Sequence, residues 1–242
     1  MIKYPFLEKG STVGVTAPSS GVPGELHDLL NSACESMEKK GFKIVSDETA
    51  WSQDKAKSAP AKKRAEEFNK MMLNGEIQLI IPPWGGELLI ETLEYIDFEN
   101  IQSKWVLGYS DISTLLLAIT LKTGVATAHG TNLVDLRGEY SDDTTAMWQS
   151  VLSTEKGQSI LQHSSEKYQK EWQHDNPTPH VFNLTEQTYW KSTEKEKVKM
   201  QGRLLGGCID TIRHLVGTPY CDVQSFKKNY IEGDPIIWYL EN

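Results

Sequence analysis

The sequence predicts an α/β fold: an N-terminal parallel sheet flanked by helices, followed by a smaller, truncated C-terminal α/β domain. Three observations carry this expectation. Strand-like and helix-like segments alternate through the first half of the chain, the signature of a parallel sheet covered by helices. Short turns rich in Gly and Ser follow the strand-like segments. A fresh strand-like pattern then begins near Gln201, beyond a polar stretch.

The elements follow in order. Thr12 to Pro18, "TVGVTAP", reads as a first strand that runs into a Pro-Ser-Ser-Gly turn. Glu25 to Lys40 reads as a helix closed by Gly41, and "FKIVS" as the second strand. Pro60 to Leu73 carries "AKKRAEEFNKMML", an amphipathic helix with Ala65, Phe68, Met71 and Met72 on or near one face. "IQLIIPPWGGE" is a third strand entering a Pro-Pro-Trp-Gly-Gly turn, and Leu88 to Ile96 continues it as a helix. Trp105-Val106-Leu107 ends a buried strand, while Thr114 to Leu121 has the apolar density of a buried helix. "GVATA" leads as a further strand into "TAHGTNL" around His129. These segments make up an N-terminal domain over residues 1–140.

Residues 141–200 are polar, charged and dotted with Trp and His, so they read as a connecting region with a short helix near Thr144 to Leu152. Its charge runs are those of a solvated surface. Residues 201–242, with "GRLLGGCIDTIRHLVGTPY" and the strand-like "PIIWYLEN", read as the start of an incomplete C-terminal domain, because a buried strand seldom closes a domain uncovered; the alternative is that Pro235 to Glu241 is an added edge strand.

Composition narrows the function. A formal net charge of -8 over 242 residues argues against a basic nucleic-acid footprint. No run of 18 apolar residues suggests a membrane span, and the N-terminus lacks the pattern of a secretory signal, so a cytoplasmic protein is expected. Cys34, Cys208 and Cys221 are too scattered for a disulfide framework, and neither they nor the histidines have metal-ligand spacing. No metal and no cofactor is expected.

In an open parallel sheet, ligands bind beyond the carboxyl ends of the strands. The turns Pro18-Ser19-Ser20, Trp84-Gly85-Gly86 and Gly108-Tyr109-Ser110-Asp111 all claim that edge, with His129 a fourth contributor. Ser110 sits at a strand-to-helix turn, where its hydroxyl can project and helix-start N–H groups can face a developing negative charge. Read locally, Ser110 or Asp111 can equally be a plain helix cap. Ser19 and Ser20 can bond a substrate carboxylate or cap a helix.

Together, "GVTAPSSG", "KKRAEEFNKMM", "IPPWGGELLIETLEYIDFENI", "KWVLGYSDISTLLLAITLKTGVATAHGTNL", "GRLLGGCIDTIRHLVGTPY" and "IIWYLEN" resemble the LD-carboxypeptidase family, serine peptidase family S66, of muramoyl-tetrapeptide carboxypeptidases and microcin C self-immunity proteins. The resemblance implies a Ser-His-Glu triad with Ser110 as nucleophile and Glu241 as acidic member, and an oxyanion hole of the Gly86 and Asp111 backbone N–H groups. It departs from the family in two places. The family's catalytic histidine lies tens of residues beyond the glutamate, and this sequence stops at Asn242, so a truncated and crippled member is expected. Cys208 stands where relatives tend to carry Asn. Gly-Tyr-Ser-Asp is also not the G-x-S-x-G elbow, since Ile112 replaces the second glycine. His129 is open as a substitute base, a substrate-binding residue or a packing residue, and Gly85 as a pocket residue.

The resemblance implies two substrates, a murein tetrapeptide cut at an L,D bond or a peptidyl or aminoacyl nucleotide cut at an amide, and a homodimer. A nucleotide calls for aromatic stacking, for which Trp172, Tyr189 and Trp190 are available. The alternative reading is a non-catalytic ligand-binding remnant of the same fold.

Overall fold

A computed structural model describes residues 1–171, 178–193 and 198–242. Five strands form its central sheet: β1 (Thr12–Val15), β2 (Lys43–Ser46), β3 (Ile77–Ile80), β4 (Trp105–Gly108) and β5 (Ala128–His129). Their order is β2-β1-β3-β4-β5 and every pairing is parallel. The order reverses direction between β1 and β3, which opens a crevice at the carboxyl ends of those strands.

The helices are α1 (His27–Lys39), α2 (Ala61–Leu73) and α3 (Ile112–Thr123). α1 and α2 are amphipathic, burying Leu30, Ala33 and Met37 in the first and Ala65, Phe68, Met71 and Met72 in the second. α3 is different: every residue from Ile112 to Leu121 is buried. A helix apolar all round needs cover on every side. The sheet covers one side of α3. The other is covered by β8 (Arg203–Cys208) and the segment after it, whose Leu205, Ile212, Leu215 and Phe226 share a core cluster with Leu116 and Ile119. β9 (Ile236–Glu241) pairs with β8 in parallel along its whole length, with Cys208 opposite Glu241.

Between these units lie α4 (Trp148–Leu152) and the two-residue strands β6 (Lys167–Tyr168) and β7 (Glu186–Gln187), which pair antiparallel. The helix starts later than the expected Thr144, because the amides of Thr145 and Ala146 close a turn on the Asp142 carbonyl. Two other elements differ from expectation. Leu89–Tyr95 winds as a 3₁₀ helix. β5 is only two residues long, because the backbone of Lys3 takes up the Gly124 carbonyl and the Ala126 N–H before the strand can start.

Candidate active site

Ser110 occupies the turn from β4 into α3 with φ +61°, a left-handed conformation unusual for a residue with a side chain. Such a residue carries about 1–2 kcal/mol of strain and persists where its surroundings over-determine it. The capping reading of this turn does not survive, because no side chain caps α3. The buried Asp111 carboxylate points away from the helix and accepts from Ser19 Oγ at 2.5 Å and from the Leu89 N–H at 2.9 Å. Burial raises its pKa, opposed by those two hydrogen bonds and by the charge of Arg64.

The surroundings that hold Ser110 are glycines. A Cβ on Gly85 would lie 2.8 Å from both Cβ and Oγ of Ser110 and 3.3 Å from the Asp111 nitrogen. Gly86 adopts φ +150°, and a Cβ there would strike the hydroxyls of Ser19 and Ser20. The Ser20 N–H donates to the Gly85 carbonyl, and Trp84 Nε1 donates to the Gly21 carbonyl. The three turns after β1, β3 and β4 are therefore packed directly on one another. Neither the Gly86 nor the Asp111 N–H donates to another described residue, so both are free to receive an anion. Ser19 is fully buried behind this junction with its hydroxyl committed to Asp111, while Ser20 stays partly open and donates to the Ala56 carbonyl.

The second sheet closes over the same turn. The Cys208 N–H donates to Ser113 Oγ at 3.0 Å, and Thr211 Oγ1 donates to the Ser110 carbonyl at 3.5 Å. Through the β8–β9 register this brings Glu241 beside the β5 end of the central sheet. There Glu241 Oε2 faces His129 Nε2 at 3.5 Å, both atoms buried and without another hydrogen-bond partner. The Tyr239 ring packs 5.2 Å from the His129 ring. The Ser110 hydroxyl makes no hydrogen bond to His129, to Glu241 or to any other described residue.

His129 and Glu241 line a cleft of about 530 Å³ together with Tyr109, Tyr168, Phe182 and Leu184. Tyr109 is one residue from Ser110, and its hydroxyl lies beside the Asp135 carboxyl. Burial pushes the phenol well above its usual range, and lifts the Asp135 carboxyl to about 6 against the hydrogen bond from the Asn132 N–H. Asn132 Oδ1 accepts the Tyr109 N–H, and Asn132 and Asp135 form a reciprocal capping box at Leu133–Leu136. The far wall is tied down by Asp142, whose carboxylate accepts from the amides of Val181 and Phe182. Tyr189 and Trp190 are exposed and do not line the cleft, and Trp172 lies outside the described residues.

Sequence reasoning brought Ser19, Ser20, Gly85, Gly86, Ser110 and Asp111 to one edge, where the structure also places them. It missed Arg64, Tyr109, Asn132 and Asp135. Arg64 had a signal: it falls on the apolar face of its helix, at i and i+4 with Phe68, where a cation is out of place unless it has buried partners.

The family description "LD-carboxypeptidase N-terminal domain" matches residues 13–130. A Vibrio cholerae protein classed by name among the carboxypeptidases is 30% identical over 225 residues, covering 91% of this chain and 66% of that protein. A Bacillus subtilis protein whose name places it among murein peptide carboxypeptidases is 26% identical over 88% of this chain and 59% of its own length. The chain thus spans about two thirds or less of these relatives. A structure of the Escherichia coli microcin C7 self-immunity protein MccF with aspartyl sulfamoyl adenosine superposes with a TM-score of 0.77 at 25% identity, covering 91% of this chain and 67% of that one.

Proposed function

Because the chain belongs to the LD-carboxypeptidase family, serine peptidase family S66, we propose that it hydrolyses an amide through Ser110. The observation that carries this reading is the left-handed Ser110 turn packed against Gly85, with the Gly86 and Asp111 amides unspent beside it. Ser110 Oγ attacks the carbonyl carbon, and the two N–H groups take the oxyanion of the tetrahedral intermediate. The amine leaves with a proton delivered by the base, and water then releases the acyl group from Ser110.

Glu241 is the carboxylate that orients the imidazole base. His129 is the described histidine against Glu241, which makes it the candidate base within this chain. The resemblance instead implies a base other than the histidines of this sequence. The His129→Gln variant separates the two: lost turnover with intact folding assigns the base to His129, and retained turnover assigns it elsewhere.

The cleft beside Glu241 receives the substrate, and its Tyr168 and Phe182 walls suit an aromatic or apolar group. Both substrate classes of the relatives belong in the assay: an L,D-linked murein tetrapeptide, and aspartyl sulfamoyl adenosine, which MccF is shown to bind. Turnover of either that disappears in Ser110→Ala supports the reading. Binding of either without any turnover points instead to a non-catalytic ligand-binding protein. A homodimer belongs to the same reading on resemblance alone, and sedimentation velocity tests it; a cytoplasmic location is proposed from the sequence pattern.

A further inference from the structure

Arg64 is the only arginine on α2, and its side chain is fully buried. Its Nη1 donates to the Pro18 carbonyl and to the Leu88 carbonyl, both at 2.9 Å, and its Nη2 donates to Glu91 at 2.7 Å. Pro18 begins the turn after β1, and Leu88 ends the turn after β3. Asp111 ties the same two turns from the other side, through Ser19 Oγ and the Leu89 N–H. A buried cation and a buried anion therefore bracket one pair of loops, and each holds one of two successive residues in both: Pro18 and Ser19, Leu88 and Leu89. Between these anchors lies Gly86.

Buried charge without a partner is costly, so this arrangement is a strongly determined one. A guanidinium suits it, because its rigid fork can serve two carbonyls and a carboxylate together, which an ammonium on a flexible stem cannot. We infer that Arg64 is a positioning residue for the oxyanion site: with Asp111 it fixes the distance between the Gly86 and Asp111 amides. The inference rests on the reading of Ser110 and these amides given above.

Burial is the largest influence on Asp111 and raises its pKa, and the Ser19 and Leu89 hydrogen bonds oppose it. Arg64 favours the ionised carboxylate and Glu87 disfavours it. Glu91 is paired with Arg64 and faces Lys57 at 3.8 Å. Removing the Arg64 charge therefore moves Asp111 protonation to higher pH, and with it the low-pH limit of any function that needs the carboxylate.

The test uses phenylboronic acid and the full chain, read by boron-11 NMR. Ser110 Oγ adds to boron, the hydroxyl proton passes to solvent, no bond to boron breaks, and the tetrahedral boronate carries a negative charge beside the two amides. Wild type is expected to form the tetrahedral adduct, and Ser110→Ala none. Arg64→Gln and Arg64→Lys are expected to weaken adduct formation by about tenfold or more. Arg64→Gln is also expected to lose the adduct at higher pH than wild type, while Arg64→Lys, which keeps the charge, holds the wild-type limit. If Arg64→Gln does not fold, the loss of affinity in Arg64→Lys at an unchanged pH limit still reads the positioning role. Wild-type affinity in Arg64→Lys, or in a folded Arg64→Gln with an unmoved pH limit, overturns the inference while leaving Ser110 as nucleophile. No adduct in wild type overturns the Ser110 reading itself, and the role of Arg64 falls with it.

Discussion

Replacing Gly85 by alanine isolates the contact on which the site depends. Gly85 does not need a left-handed backbone, so alanine meets no conformational barrier there. The added methyl instead sits 2.8 Å from Cβ and Oγ of Ser110, about 0.6 Å inside ordinary van der Waals contact. The hydroxyl can rotate away, but Ser110 Cβ is fixed by its backbone, so the turns after β3 and β4 must separate. Overpacking of this kind costs about 1–3 kcal/mol of stability, a fall of a few degrees in Tm for a domain of this size. A displacement of several tenths of an ångström between nucleophile and oxyanion donors costs far more in rate, about 100-fold or greater. The assay pairs steady-state turnover of the accepted substrate with thermal unfolding on the same sample. Gly85→Ala with a wild-type rate and a wild-type Tm would refute the claim that this glycine is there to admit Ser110.

Three further outcomes are expected. Both Ser110→Gly and Ser110→Ala lose the nucleophile, but glycine relieves the left-handed strain, so Ser110→Gly should be the more stable by about 1 kcal/mol in chemical denaturation; equal stabilities contradict the strain. The Asp135 carboxyl is raised to about 6 from an ordinary 3.8, so the folded state binds more protons than the unfolded between those pH values, and stability falls as pH rises through the window. Asp135→Asn, neutral and still able to accept from the Asn132 N–H, should remove that slope and gain up to about 3 kcal/mol over wild type at pH 7, measured by urea unfolding from pH 4 to 7. Asp142→Ala removes the carboxylate that accepts the amides of Val181 and Phe182, and should cost about 2 kcal/mol and raise KM through the loosened cleft wall with little change in kcat; an unchanged KM separates Phe182 from substrate binding.

Most of the sheet was legible because β1, β3 and β4 are apolar runs that lead into turns bearing Pro or Gly, and hydrophobic periodicity is a local property. The meeting of three turns at one edge followed from the parallel architecture rather than from any single motif. What sequence left open was the state of each polar side chain once buried. Ser19 reads as a strand-end hydroxyl for a substrate carboxylate or a helix cap, yet its partner Asp111 lies 92 residues away. The same holds for His129, whose contact with Glu241 depends on the β8–β9 pairing and its packing on α3. Asp111 looked like a cap because helix starts favour that residue type, and the competing acceptor role became visible only with the Leu89 amide in place. Short strands failed for a different reason. β5 shrank because Lys3, from the far end of the chain, claims backbone groups that local patterning assigned to the strand.

The central claim is that Ser110 is a nucleophile in a prepared site. Its most direct test is intact-mass spectrometry before and after treatment with a fluorophosphonate probe, followed by peptide mapping. The account predicts a single adduct, on Ser110, absent from Ser110→Ala. An unmodified protein, or an adduct on another residue, would contradict it.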